Sequence, residues 1–253
     1  MWLISLLGIA ITVSFVSSSR NNETCSNLNI SLVNNNIFID KNDLDSLIKH
    51  RLGTIKGKSM GEISNIQIEY MISNNPFVQD VHVFSTIDGE LSIKVQQRNP
   101  LFRVFNPLNQ SFYIDENGNF MPLSEKSSAR VLMINGFIYD TYRNRTVKLL
   151  DWKDTVTRSK TMMDTLYTLI NFIHKDNFLN SLIQQIYVNE DREIELVPYI
   201  GKQIILLGDI SDMDLKFKEL LILYKKGFSK FGWSAYNYIN LKYKNQIVCT
   251  KIK

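Results

Sequence analysis

Alanine is nearly missing from this 253-residue chain, occurring only at positions 10, 129 and 235, while Asn, Ile and Lys abound. That bias carries no chemistry. Glycine (11) and proline (5) are too scarce for a collagen-like or linker-dominated chain. Hydrophobic residues at 44% and charged residues at 21% are globular values and exclude wholesale disorder. A net charge of +4 is too weak to argue for nucleic acid as a partner. The two cysteines, Cys25 and Cys249, are too few for a disulfide scaffold and lie near opposite ends, so both read as unpaired. Neither stands in a CxxC pair or beside a histidine, which argues against a metal or redox site.

Catalytic signatures are missing as well. His50, His82 and His174 are far apart, and none has a HExxH or HxH neighbour. His82 falls on an expected strand and reads as an outward polar residue. No GxSxG, SxxK or Cys-His pattern occurs. Asp115-Glu116-Asn117-Gly118 lacks the spacing and closing Glu of a calcium loop and fits a hairpin turn. Gly53 to Ser59 resembles a phosphate loop, but only three residues separate its glycines and Leu52 stands where the first Gly belongs. Missing motifs lower the expectation of an enzyme without excluding one, because sites assemble across a fold. We therefore assign no catalytic residue, no cofactor and no metal ligand.

What is present is unevenly spread. Residues 1–98 carry 8 Lys/Arg and 9 Asp/Glu, whereas residues 99–253 carry 21 and 16. From Phe217 to Lys253 there are eight Lys, opposed only by Glu219. Such a segment could meet an acidic partner, an anionic lipid face or an anionic wall polymer, or be a solvated surface. Trp2 to Ser19 is uncharged and rich in Leu, Ile, Val and Phe. As a helix it would span about 27 Å, close to a hydrocarbon core. A cleaved signal peptide is one reading, with Ser17 to Ser19 as the small-residue site. No Lys or Arg precedes Arg20, so an uncleaved anchor over residues 1–20 is favoured. Either way the rest of the chain is expected outside the cytoplasm.

Residues 27–98 read as a small domain. Leu28–Val33 alternates as a half-buried strand does. Asp40 can cap a helix with Leu44, Leu47 and Ile48 on one face. Ser64 and Gln67 fit a capping box, with Ile66, Tyr70 and Met71 following at helical spacing. Pro76 ends that helix. Phe77–Phe84 reads as a strand, Asp88-Gly89 as a hairpin turn, and Leu91, Ile93 and Val95 as the return strand. The order is β-α-α-β-β. This order, with "NNPFVQDVHVF" followed by "LSIKV", resembles a POTRA domain, an extracytoplasmic docking module without catalytic apparatus.

Residues 99–253 read as a second, mixed α/β domain on an antiparallel sheet. Leu101–Phe105 is a strand, and "SFYIDENGNFMPL" reads as strand, turn at Asn117-Gly118, and strand. Val131–Ile134 adds a short strand. Thr155–Lys175 reads as a helix whose apolar face holds Met162, Leu166, Leu169, Ile170 and Ile173. Leu182–Val188, Glu193–Pro198 and Gln203–Leu207 follow as strands, then a helix over Asp212–Lys226. Tyr238–Tyr243 and Gln246–Lys251 close the pattern around Lys244-Asn245.

Arg98, Pro100, Tyr113, Asp115 and Gly118 fit the basic residue, Pro, strand and Tyr-x-Asp-x-x-Gly of the junction in the bacterial cell-division family FtsQ/DivIB. "SSARVLMINGF", "GKQIILLGD" and "YNYINLKYKNQIVCTK" resemble later segments of that family, in its order and in the form seen in Bacteroidetes sequences. The family usually carries a longer, basic cytoplasmic tail before its anchor, so cytoplasmic contacts are not among the expectations here.

The resemblance implies a non-enzymatic, single-pass divisome scaffold in the cytoplasmic (inner) membrane. The bulk of the chain would lie in the periplasm, recruiting septal division proteins. It also implies small bitopic partners of the FtsB and FtsL kind, and other divisome components. The physical mode expected is β-augmentation at the last strand, Gln246–Lys251. Phe231, Trp233, Tyr236, Tyr243, Gln246 and Val248 are the candidate partner-binding residues. The plainer alternative is that the aromatics are core and the lysines merely protect the edge. Two other classes stay open. One is a POTRA-containing envelope-assembly protein handling outer-membrane protein substrates, and the other is a wall-modifying enzyme.

Overall fold

The computed structural model describes residues 23–34, 38–86, 88–142, 149, 161–228, 232 and 235–251. The expected anchor over residues 1–20 lies outside them, as do Phe231 and Trp233. No helix among the described residues is long and apolar enough to cross a membrane. The chain forms two compact units, residues 1–99 with 124–127, and residues 100–123 with 128–253.

The first unit runs β1 (Asn27–Leu32), α1 (Lys41–Leu52), a 3₁₀ turn (Met60–Glu62), α2 (Asn65–Ser73), β2 (Val78–Ser85) and β3 (Glu90–Gln97). Asp40 starts α1 through a capping box. Its carboxylate accepts from the Asp43 N–H, and the Asp43 carboxylate accepts from the Asp40 N–H. The sheet order is β1-β3-β2, with β1 parallel and β2 antiparallel to the central β3. Leu91, Ile93 and Val95 of β3 are fully buried against Leu44, Ile48, Ile68 and Ile72 of the two helices. The turn expected at Asp88-Gly89 is present, with Gly89 at φ 71.

One expectation fails in α2. Its buried residues are Ile68 and Ile72, with Met71 half-buried, whereas Ile66 is 79% and Tyr70 70% exposed. Ile66/Tyr70 and Ile68/Ile72 are both i, i+4 pairs, set two residues apart and so on roughly opposite faces. Spacing alone cannot choose between them. Ser64 does accept from the Gln67 N–H, which makes it the N-cap.

The second unit runs β4 (Pro100–Phe105), β5 (Ser111–Asp115), β6 (Phe120–Met121), β7 (Leu132–Gly136), α3 (Met162–Lys175), α4 (Asn177–Leu182), β8 (Ile183–Val188), β9 (Ile194–Pro198), β10 (Ile204–Gly208), α5 (Met213–Ile222), a π-helical turn (Leu223–Gly227), β11 (Tyr236–Asn240) and β12 (Val248–Lys251). The sheet order is β12-β11-β10-β9-β8-β7-β4-β5-β6. It is mixed rather than wholly antiparallel, since β4/β7, β7/β8 and β10/β11 are parallel. Long excursions separate the strands of each of those pairs, and a side-chain pattern does not encode strand direction.

Thr161 and Asp164 cap α3 reciprocally. Met163, Leu166, Leu169, Ile170 and Ile173 of α3 are buried with Phe102, Ile134, Ile186, Leu196, Ile205 and Ile239 from the strands. Met162, expected on that face, is only partly buried. The short α4 is missing from the sequence expectation. Asp176 starts it by accepting from the N–H groups of Phe178 and Leu179. At Gly136 a Cβ would stand 2.1 Å from the Val188 carbonyl oxygen, so the β7/β8 seam requires glycine there.

Candidate functional site

β12 forms one margin of the nine-stranded sheet and pairs only with β11 among the described residues. Its register runs from Asn240↔Val248 to Tyr236↔Lys251, with an irregularity between Tyr236 and Tyr238. Ile247 and Cys249 pack against the core. Val248 is 44% exposed, and Thr250 and Lys251 are exposed too. The strand is therefore held by alternate side chains and presents the others, together with one row of backbone groups, to an incoming strand.

The candidate residues do not form one patch. Val248 lies in the edge strand, but Tyr243 and Gln246 stand in the connecting loop, outside the strands expected for them. β11 ends at Asn240 and β12 starts at Val248, so the connection is wider than the expected Lys244-Asn245; Leu241 is 1% exposed and Asn245 is left-handed at φ 61. Tyr243 is 51% exposed. It lines a 60 Å³ depression shared with Leu215 and Lys216 of α5. Tyr236 turns inward, its ring centroid 6.4 Å from that of Phe228.

Under the edge lies an aromatic stack that the sequence expectation missed. Phe228 meets Tyr224 edge-on at 4.9 Å, and Tyr224 meets Phe178 at 6.1 Å. Tyr224 and Phe228 lie on the buried side, in line with Phe217 and Leu220 of α5 at spacings of three and four residues. The Tyr224 hydroxyl accepts from Gln203 Nε2 at 2.9 Å, and burial pushes its pKa up to about 12.

Two lysines brace the strands behind the edge. Lys216, almost wholly buried, donates to the carbonyls of Leu207 (3.1 Å) and Asp209 (2.9 Å) and to Asp209 Oδ1 (2.9 Å). The Ser211 hydroxyl and then the Lys216 ammonium lower the Asp209 pKa to about 2. Lys242, just beyond β11, forms an ion pair with Glu193, just before β9. That pair raises the Lys242 pKa, while burial and then Glu195 and Glu193 raise that of Tyr238. Lys244 and Lys251 keep the margin basic.

The Tyr-x-Asp-x-x-Gly segment has structural work. Asp115 Oδ1 accepts from the N–H groups of Asn117 (2.9 Å) and Asn119 (2.7 Å), which closes the β5–β6 turn. Gly118 holds φ 78, with the Leu149 backbone against it. The Tyr113 hydroxyl lies 3.1 Å from Ser128 Oγ and accepts from the Ala129 N–H. Among the described residues no group of three or more His, Cys, Asp or Glu could hold a metal ion. His82 is exposed, 3.2 Å from Asp80.

Comparison with known proteins yields two matches. A family model described as FtsQ/DivIB, C-terminal related, matches residues 99–250. A model described as a POTRA-like domain matches residues 23–96. No curated protein matches the chain.

Proposed function

Because the chain belongs to the FtsQ/DivIB family, we propose that it is a non-enzymatic, single-pass scaffold that recruits septal cell-division proteins at the cytoplasmic membrane. Residues 1–20 are its anchor, and both units stand on the periplasmic side. Its chemistry is surface recognition. An extended segment of a bitopic partner of the FtsB or FtsL kind adds to β12, and takes up that strand's free N–H and C=O groups.

The observation that carries this reading is the position of β12 at the sheet margin, held from below by Ile247 and Cys249 with Val248 and Thr250 outward. Lys244 and Lys251 favour a partner segment that is acidic around its apolar contacts. Backbone pairing supplies affinity, and the alternate side chains supply selectivity.

The test uses the full chain in lipid nanodiscs, titrated with purified FtsB- and FtsL-like proteins. A doubly substituted edge, Val248→Asp with Thr250→Asp, is compared with Leu108→Asp, a change at an exposed loop position. The edge variant should lose binding and the loop variant keep it. Equal binding by both removes β12 as the surface and leaves the scaffold. Retention of unfolded outer-membrane proteins in place of division proteins would move the chain to envelope assembly.

A further inference from the structure

The first unit carries a basic and apolar corner that the reading above leaves unused. Glu23, where the described chain begins, accepts at its carbonyl from the Met60 N–H at 2.8 Å. Cys25 N–H donates to the Lys58 carbonyl at 2.7 Å, and the Gly57 N–H donates to the Cys25 carbonyl at 2.8 Å. Lys58 Nζ in turn donates to the Leu52 carbonyl at the end of α1. The entering chain is thus stitched to residues 57–60, and through Lys58 to the C-terminal end of α1.

Beside that corner lies a groove of 630 Å³ between α1 and α2, lined by Leu47, Arg51, Leu52, Gln67, Tyr70 and Met71 among others. Ile66 and Tyr70 stand out from α2 at 79% and 70% exposure, although both are apolar enough to be buried. Between residues 46 and 61 the sequence holds Lys49, Arg51, Lys56 and Lys58, while the exposed carboxylates of Glu23 and Glu62 stand at the margins of the corner. Lys49 is paired with Asp45, while Arg51 and Lys56 have no ion pair among the described residues.

The length of chain before Glu23 selects the occupant. The uncharged run ends at Ser19, four residues earlier, and four residues reach at most about 14 Å when fully extended. If that run is the anchor, Glu23 cannot stand further than that from its end, and residues 57–60, bonded to the entering chain, stay close to it. We propose that this corner rests on the membrane surface. Ile66 and Tyr70 sit at the headgroup boundary, and Arg51 and Lys56 lie beside anionic phospholipid headgroups. The inference rests on the anchor reading. It makes the first unit a surface-seated module, with its tilt fixed by lipid contacts rather than by the connecting chain.

The experiment uses the full chain, with Cys249→Ser, reconstituted in vesicles of phosphatidylcholine with a minority of phosphatidylglycerol. Cys25 is 1% exposed and stays unlabelled. A fluorophore is attached through Tyr70→Cys or, as a control in the second unit, through Leu108→Cys. Quenching by a headgroup-spin-labelled lipid is then read. The label at position 70 should be quenched severalfold more strongly than the label at 108. Quenching at 70 should fall in phosphatidylcholine alone and with Arg51→Gln and Lys56→Gln together. Equal quenching at both positions, in protein that resists carbonate extraction, overturns the membrane seat and leaves the anchor in place. Protection of position 70 only when a division protein is added would make the groove a protein site and also overturns it. Release of the chain by carbonate overturns the anchor itself, and the membrane seat with it.

Discussion

The side chain of Lys242 lies across the bare face of Gly208 to reach Glu193, bridging from the end of β11 to the start of β9 over β10. A Cβ at position 208 would stand 2.8 Å from Lys242 Cγ, and the residue holds φ 75. Gly208→Ala should therefore destabilise the second unit by about 1–2 kcal/mol, the cost of a left-handed non-glycine residue. Lys242→Met should cost less, because the pair is largely solvent-screened. Urea unfolding of the two variants ranks them, and a larger loss in Lys242→Met would sink this account.

Lys216 tests the other brace. Lys216→Met removes three donated hydrogen bonds and leaves the carbonyls of Leu207 and Asp209 to find new partners. A loss of about 1–3 kcal/mol is expected from groups left unpaired. Asp209 adds a pH signature. Its pKa is depressed to about 2, so its contribution is present above the ordinary carboxylate range and fades as pH falls from about 4 towards 2. Asp209→Asn should flatten that part of the acid limb in a stability–pH profile.

Tyr224 gives an alkaline counterpart. Its folded pKa, at about 12, stands above the unfolded value near 10. The unfolded chain therefore ionises first, and stability falls as pH rises from about 10 to about 12. Tyr224→Phe should remove part of that slope. Ultraviolet titration of the phenolate band should show a late-titrating tyrosine that the variant lacks.

The two faces of α2 make the sharpest comparison. Ile68→Ala empties a fully buried site and should cost about 2–5 kcal/mol. Ile66→Ala, at an exposed site, should stay within about 0.5 kcal/mol. Chemical denaturation distinguishes them, and equal costs would mean that the helix face has been misassigned.

Cys249 offers a probe of the edge itself. Burial raises its thiol pKa, so alkylation near pH 8 should be slower than for a free thiol. A segment added to β12 should slow it further, and an unchanged rate at saturating partner would argue against pairing there.

Much of this architecture was legible in the residues. The caps at Asp40 and Ser64, the turns at Gly89 and Gly118, and the alternation of Leu91, Ile93 and Val95 each state a local geometry. Strand direction, by contrast, is a long-range property, and the three parallel seams of the large sheet were invisible to pattern. Among the described residues the last strand, shorter than expected at Val248–Lys251, lies at the sheet margin, yet the residues meant to serve it scattered. Tyr236 faces the core, while Tyr243 and Gln246 ride on the loop between Asn240 and Val248. Tyr224 and Phe228 went unused, although they continue the buried i, i+3, i+4 face of Phe217 and Leu220.

The direction of pairing along the large sheet has a kinetic consequence. β4–β6, β8–β10 and β11–β12 are antiparallel stretches of nearby sequence, and each can zip by itself. They are joined to one another, and to the lone β7, only through the parallel seams. Closing those seams brings together residues far apart in the chain, so they are the slow steps of folding. The β10/β11 and β4/β7 seams have only three register pairs each, which makes the β11–β12 hairpin and the β4–β6 block, at the two sheet ends, the cooperative blocks expected to detach most readily under native conditions. Amide exchange should therefore be fast in the strands that offer the edge, and an added segment would slow it there, but not in β4–β6, by closing that block.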